Sequence, residues 1–216
     1  MSGDAEWTAR LIREDGTEFE VLNRGVAVGT LRWDLVGRHN VMNALAALAA
    51  ANAVGVDVSS VIPALSEFQS VKRRLENLGS ARGITVYDDF AHHPTAIRTT
   101  LDGLRQKLDA AGRRQDRILA VFEPRSNTMK LGTMAAQLPW SLEAADLSFC
   151  HSGGLDWDAG AALAPMGARA RVANAIEPLV TQVAAAAQPG DHIVCMSNGG
   201  FGGVHDKLLS ALRAAQ

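Results

Sequence analysis

The sequence predicts an α/β fold, doubly wound around a mostly parallel sheet and preceded by a smaller partial α/β segment. Two observations carry this expectation. Beyond a change of rhythm near residues 70 to 80, strand-like apolar runs alternate with helical stretches. Those runs are also continuously apolar, as strands covered on both faces must be. We place the boundary after residue 70, giving segments 1–70 and 71–216.

The first segment opens with three loosely alternating runs, "EWTARLI", "TEFEVLN" and "GVAVGTLRW", read as strands, with "REDG" turning between the first two. "HNVMNALAALAAANAVG" has helical spacing and Gly55 as its stop. "SVIPALSEF" predicts a second helix, capped by the serine pair before it. In the second segment "ITVYDD", "RILAVFEP", "DLSFCHS" and "DHIVCMSNGG" are strands. The helices between and after them are "PTAIRTTLDGLRQKL", with Pro94 in its first turn, "TMAAQLPWSLEAA", bent or split at Pro139, "AIEPLVTQVAAAA" and "HDKLLSALRAA".

Composition narrows the function. The 216 residues are 47% hydrophobic and 20% charged, ordinary for a globular protein with a real core. With 21 basic and 23 acidic side chains the formal net charge is −2, so no global field draws the chain to nucleic acid. Cys150 and Cys195 each sit in an apolar run and read as buried thiols of a reducing compartment. "MSGDAEWTAR" has no basic patch followed by an apolar run, which predicts no leader, and no stretch is apolar for the roughly 20 residues of a bilayer span. A cytoplasmic monomer, with no membrane and no nucleic-acid partner, is the expectation.

In an open parallel sheet, ligands bind beyond the carboxyl ends of the strands. Four strand ends here carry polar clusters: "YDDFAHHP", "FEPRSNT", "CHSGG" and "MSNGGFGG". Asp88 and Asp89 are adjacent on a strand, so their side chains point to opposite sides. His92 and His93 suit metal ligands, a base or donors to an anion, but their spacing matches no closed zinc set. Arg125 suits a carboxylate or phosphate, and Ser126, Asn127 and Thr128 suit ligand contacts or helix capping. The glycines at 199, 200, 202 and 203 lack the dinucleotide-binding spacing, and no G-x-x-x-x-G-K-[ST] occurs. Asn40 and Asn43, three apart at a helix start, can read a base edge or serve as ordinary polar helix residues. "KRR" at 72–74 is a solvated basic surface or an anion contact.

In this order, "GRHNVMNALAA", "VKRRLE", "YDDFAHHPTAI", "FEPRSNTMKLG" and "MSNGGFGGVHDKLL" resemble the Mur ligases, the ATP-dependent amide-forming enzymes of peptidoglycan assembly. The resemblance implies that residues 1–70 are the tail of a central ATPase domain. Residues 71–216 would then be a Rossmann-like C-terminal domain that binds the acceptor. It further implies a ligase with ATP and Mg2+ as cofactors, acting through an acyl phosphate, whose metal ligands lie mostly outside this chain. No turnover is expected from these residues alone. By the same resemblance Asn40, Asn43 and His39 serve the adenine. Arg74 serves the ATP phosphates, with Arg73 beside it, and Asp89 serves the ribose. His92 and His93 face the γ-phosphate and the incoming amine, which makes Arg74, Asp89 and His92 the catalytic candidates. Arg125, Ser126, Asn127, Thr128, Ser197 and Asn198 line the acceptor pocket.

The alanine-adding relatives carry a histidine and two arginines in the loop that here reads Pro124 to Thr128. That departure fits a larger acceptor, and the substrates implied are UDP-N-acetylmuramate and L-Ala-γ-D-Glu-meso-diaminopimelate. A non-catalytic nucleotide- or peptide-binding module is the alternative. So is a folylpolyglutamate-synthase-like ligase, against which "HHP" and "NGGFGG" argue. Asp89→Ala is expected to cost activity with little stability, because the residue ends a strand.

Overall fold

The computed structural model describes residues 5–214. The first four residues of "MSGDAEWTAR" and the last of "HDKLLSALRAA" lie outside them. The chain divides into two units, residues 5–71 with 103–113, and residues 72–102 with 114–214.

In the first unit, strands β1 (Trp7–Leu11), β2 (Glu18–Asn23) and β3 (Val26–Arg32) form an antiparallel sheet in chain order. The alternating sequence directs Phe19, Val21 and Leu31 to one face. There they pack with Val41, Leu45 and Leu48 of helix α1 (Arg38–Ala53) and Ile62 of α2 (Val58–Ser66). Gly55 adopts φ 82°, the left-handed stop expected after α1. The serines do not cap α2; Asp57 does, accepting from the Ser59 amide at 3.1 Å. A carboxylate two residues before the pair offers a stronger acceptor and leaves Ser59 and Ser60 inside the first turn.

The second unit is built on a six-stranded sheet in the order β4-β5-β9-β6-β7-β8. Its strands are β4 (Glu76–Ala81), β5 (Ile84–Asp89), β6 (Ile118–Phe122), β7 (Leu147–His151), β8 (Ala170–Ala173) and β9 (His192–Met196). All neighbours run parallel except β4, which pairs antiparallel with β5. Every residue of β6 and β9 is buried, as their unbroken apolar runs predict. Val86, Val121, Phe149 and Cys195 face one way, onto Leu179 and Val183 of α7 (Ile176–Ala186) and Val204 and Leu208 of α8 (Val204–Ala214). Helix α3 (Pro94–Ala110) follows β5, and Pro94 opens it as expected.

Three features depart from the sequence reading. Strands β4 and β8 are additional to the expected four. Residues 133–145, expected as a helix bent or split at Pro139, are split into a 3-10 turn at Ala135–Gln137 and α5 (Leu138–Ser141), and a separate short helix, α4 (Asn127–Lys130), precedes them. Gly132 at φ 73° ends α4. Pro139 opens α5, where its missing N–H costs nothing. A further short helix, α6 (Ala159–Leu163), precedes β8.

Cys150 and Cys195 are buried free thiols, as expected. Burial pushes Cys150 up to about 12, and pushes Cys195 up as well, helped by the negative charge of Asp88. Thiolate is the reactive form, so iodoacetamide is expected to leave both untouched in the folded chain and to modify both in denaturant, read by intact mass. Rapid native labelling of either would contradict this packing.

Candidate functional site

The parallel strands β5, β9, β6 and β7 are neighbours, so their carboxyl ends bring the four polar clusters to one sheet edge. Asp88 and Asp89 diverge there as adjacent strand residues must. Asp88 turns toward α8, where its Oδ1 lies 3.1 Å from His205 Nε2, out of line for a hydrogen bond. Asp89 turns toward α3 and is 3% exposed. Its Oδ1 accepts from the Ala91 amide at 2.7 Å and the Thr100 hydroxyl at 3.1 Å, and its Oδ2 accepts from the Leu75 amide at 2.8 Å. Both oxygens are thus committed within the fold. Burial lifts the Asp89 carboxyl above its ordinary value, against the pull of these donors.

The basic run divides its labour. Arg74 is exposed, its guanidinium 5.4 Å from the centre of the Phe90 ring. Arg73 turns inward and lies 5.2 Å over the same ring. Its Nε donates to Asp88 Oδ2 at 2.9 Å, and its Nη2 donates to the carbonyls of Ser197 and Gly199 at 2.6 and 2.9 Å. The solvated-surface alternative therefore fails for Arg73. His92 and His93 are half-buried between β5 and α3. His92 Nδ1 sits 2.9 Å from the Phe90 carbonyl, which orients its ring, and the His93 carbonyl accepts from the Ile97 amide at 2.9 Å.

Beyond β6, Ser126 caps α4, accepting from the Met129 amide at 3.4 Å, while Arg125, Asn127 and Thr128 are exposed. With four residues, α4 adds little helix-end potential. Ser197 is 1% exposed and fully engaged. Its hydroxyl donates to Glu123 Oε2 at 2.7 Å and accepts from the Gly199 amide at 3.0 Å. Asn198 is half-buried, and its Oδ1 has no partner.

Glu123 was not singled out from the sequence, yet it centres this part of the edge. Its Oε1 lies 3.9 Å from both Arg125 Nη1 and His151 Nδ1, and its other oxygen holds Ser197. Its place inside "FEPRSNT" was the only available signal. Gly199 is needed beside it, because a Cβ there would come within 2.7 Å of Arg125 Nε. The cluster thus combines an exposed cation, a carboxylate, an imidazole and an amide oxygen around a backbone pared down by glycine. Such a set can bind a ligand carrying both carboxylate and ammonium groups.

The sequence model of the Mur ligase glutamate ligase domain matches residues 73–199, which contain most of this cluster. The chain belongs to the Mur ligase family. It is 46% identical over 207 residues to the UDP-N-acetylmuramate–L-alanyl-γ-D-glutamyl-meso-2,6-diaminoheptandioate ligase of Escherichia coli K12, covering 95% of this chain and 44% of that one. Among solved structures, a murein peptide ligase from Psychrobacter arcticus aligns over 100% of this chain and 46% of its own, with 39% identity and a TM-score of 0.75. A domain from a protein named as the same type of ligase in Haemophilus ducreyi is 45% identical, with a TM-score of 0.54, over 64% of this chain and 98% of its own. The chain spans less than half the length of the first two.

The remaining family positions lie in the first unit. Asn40 Nδ2 donates to the Val36 carbonyl at 2.8 Å, and Asn43 Nδ2 donates to Asn40 Oδ1 at 3.4 Å. Asn43 and His39 are exposed, and the His39 ring lies against Gly37, where a Cβ would be 2.8 Å from Nδ1.

Proposed function

We propose that this Mur ligase chain supplies the acceptor-binding part of an ATP-dependent ligase that joins UDP-N-acetylmuramate to L-Ala-γ-D-Glu-meso-diaminopimelate. Residues 1–70 are the tail of its ATPase domain and residues 71–216 its acceptor domain. The observation that carries the reading is the mixed-charge set of Glu123, Arg125, His151 and Asn198 at the carboxyl edge of β6, β7 and β9. The tripeptide offers several carboxylates and a free ammonium group. An arginine flanked by a carboxylate matches it better than a bare carboxylate clamp would. Exposed Asn127 and Thr128 extend the same wall, and Ser126 and Ser197 shape it from within.

ATP supplies the phosphoryl group that makes the muramate carboxylate electrophilic. Arg74, exposed and braced on Phe90, meets its phosphates, and Asn40, Asn43 and His39 serve its base. Asp89 acts through others, because its carboxylate fastens the backbone on which Arg74 is carried. His92 and His93 stand at the start of α3 beside that turn and face the reacting amine. Magnesium finds no ready set of ligands here; no group of three or more His, Cys, Asp and Glu side chains among the described residues is placed to hold a metal ion. The ligase of this proposal is cytoplasmic. No described helix is long and apolar enough to cross a membrane.

The test is an NMR titration of the chain with the tripeptide, with L-alanine as control. Saturable shifts near Arg125, Glu123 and Asn198 are expected for the tripeptide alone. Arg125→Ala is expected to weaken binding at least about tenfold, the loss of one charge-assisted contact. Equal responses to tripeptide and alanine, or an Arg125→Ala variant with wild-type affinity, would remove the acceptor from this edge.

A further inference from the structure

We propose that Arg73 is a positioning residue that couples the phosphate-facing Arg74 to the acceptor loop at residues 197–203. What the two ends bind rests on the reading above; the coupling rests on geometry. One guanidinium joins Asp88 at the end of β5 to two carbonyls of the loop after β9, a separation of 124 and 126 residues in the chain for the latter pair. Lysine has no planar fork with which to hold three acceptors at fixed angles. The Arg73 backbone adopts φ 60°, a left-handed conformation that is strained for a non-glycine residue and persists only where its surroundings impose it. Here they do. The Arg73 amide donates to Glu76 Oε2 at 2.8 Å, and its carbonyl accepts from the Phe90 amide at 2.9 Å.

From this fixed point the contacts run both ways. Arg73 and Arg74 share the Phe90 ring, so the seat of one depends on the other. In the other direction Arg73 holds the Gly199 carbonyl, and the Gly199 Cα lies against Arg125. The path Arg74–Phe90–Arg73–Gly199–Arg125 therefore joins the two proposed ligand ends, by two arginine–ring contacts, a hydrogen bond to the Gly199 backbone and the close approach of Arg125 to that glycine. An anion drawn to Arg74 shifts the ring, the ring shifts Arg73, and the loop carbonyls follow.

The experiment uses the whole chain as wild type, Arg73→Gln and Arg73→Lys. Pyrophosphate and the tripeptide are titrated separately and together, and amide hydrogen exchange is recorded without ligand. In the wild type, pyrophosphate is expected to tighten tripeptide binding about fivefold, at the lower end of typical couplings between sites. Both variants should reduce that factor to one. Exchange at Gly199 and Phe90 should accelerate at least about tenfold, while Val121 and Val194 stay protected. A simple structural brace would alter exchange but leave the coupling factor intact. A wild-type factor of one, or a factor that survives in both variants, overturns the proposal. If the wild type binds only one of the two ligands, the functional reading fails at the other end, and exchange with the bound ligand decides. That ligand should slow exchange at the far end of the path in the wild type and not in the variants; a far end that does not respond, or a wild type that binds neither ligand, overturns the proposal.

Discussion

Asp89→Ala is expected to lower the unfolding free energy by about 3 kcal/mol, which reverses the expectation drawn from its place at a strand end. The substitution leaves the Leu75 and Ala91 amides and the Thr100 hydroxyl without an acceptor in a site from which water is nearly excluded. Each buried donor left unsatisfied costs about 1–3 kcal/mol, and partial relaxation keeps the total toward the lower part of that sum. Asp89→Asn keeps one carbonyl oxygen and should cost about half as much. The measurement is urea unfolding monitored by circular dichroism. An alanine variant within about 0.5 kcal/mol of wild type would mean these bonds do not hold the turn.

Its pH dependence carries a sign. The carboxyl is raised above 3.8, so the folded state binds more protons than the unfolded one across the window between 3.8 and the raised value. This contribution to stability is complete below 3.8 and is lost as pH climbs through the folded value. The gap between wild type and Asp89→Asn should therefore narrow as pH rises through that window.

The second large effect lies at the opposite sheet edge. Arg117 precedes β6 and Asp191 precedes β9, and their side chains form two bonds, Nε to Oδ1 at 2.9 Å and Nη2 to Oδ2 at 2.6 Å. Asp191 also accepts from the Gln188 amide at 2.7 Å, and the His192 amide donates to the Arg117 carbonyl at 2.8 Å. The pair thus pins the start of two central strands. The exposures are unequal, with 3% of the Asp191 side chain and 29% of the Arg117 side chain reaching water. Arg117→Ala strands a buried carboxylate and is expected to cost about 3–5 kcal/mol, whereas Asp191→Ala leaves a cation that can find solvent and should cost less. The double variant Arg117→Met/Asp191→Leu should recover much of the Arg117→Ala loss. Equal losses for the two single variants in urea unfolding would contradict the unequal burial. Neither change touches the carboxyl edge, so tripeptide binding should survive in whatever fraction remains folded.

Sequence alone determined the sheet's character and the edge at which its polar clusters gather. An unbroken apolar run such as "RILAVF" has no solvent-facing side, so it must lie inside a covered parallel sheet. Polar residues directly after such runs then have to gather at one edge. Strand β4 escaped this reading because half of "ENLGSA" is exposed and only its last residue is buried, with an irregularity at Gly79, and β8 escaped it because four residues make no pattern. Periodicity reports which residues avoid water, a property each residue carries locally. It does not report which distant groups meet. The insertion of β9 between β5 and β6 placed Ser197 and Gly199 under Arg73, and Glu123 against Ser197. Only the tertiary structure could therefore turn two consecutive arginines into an inward brace and an exposed cation. It likewise turned Asp89 from an expected ligand contact into a buried anchor, because hydrogen-bond partners are chosen by strand order and register across the sheet.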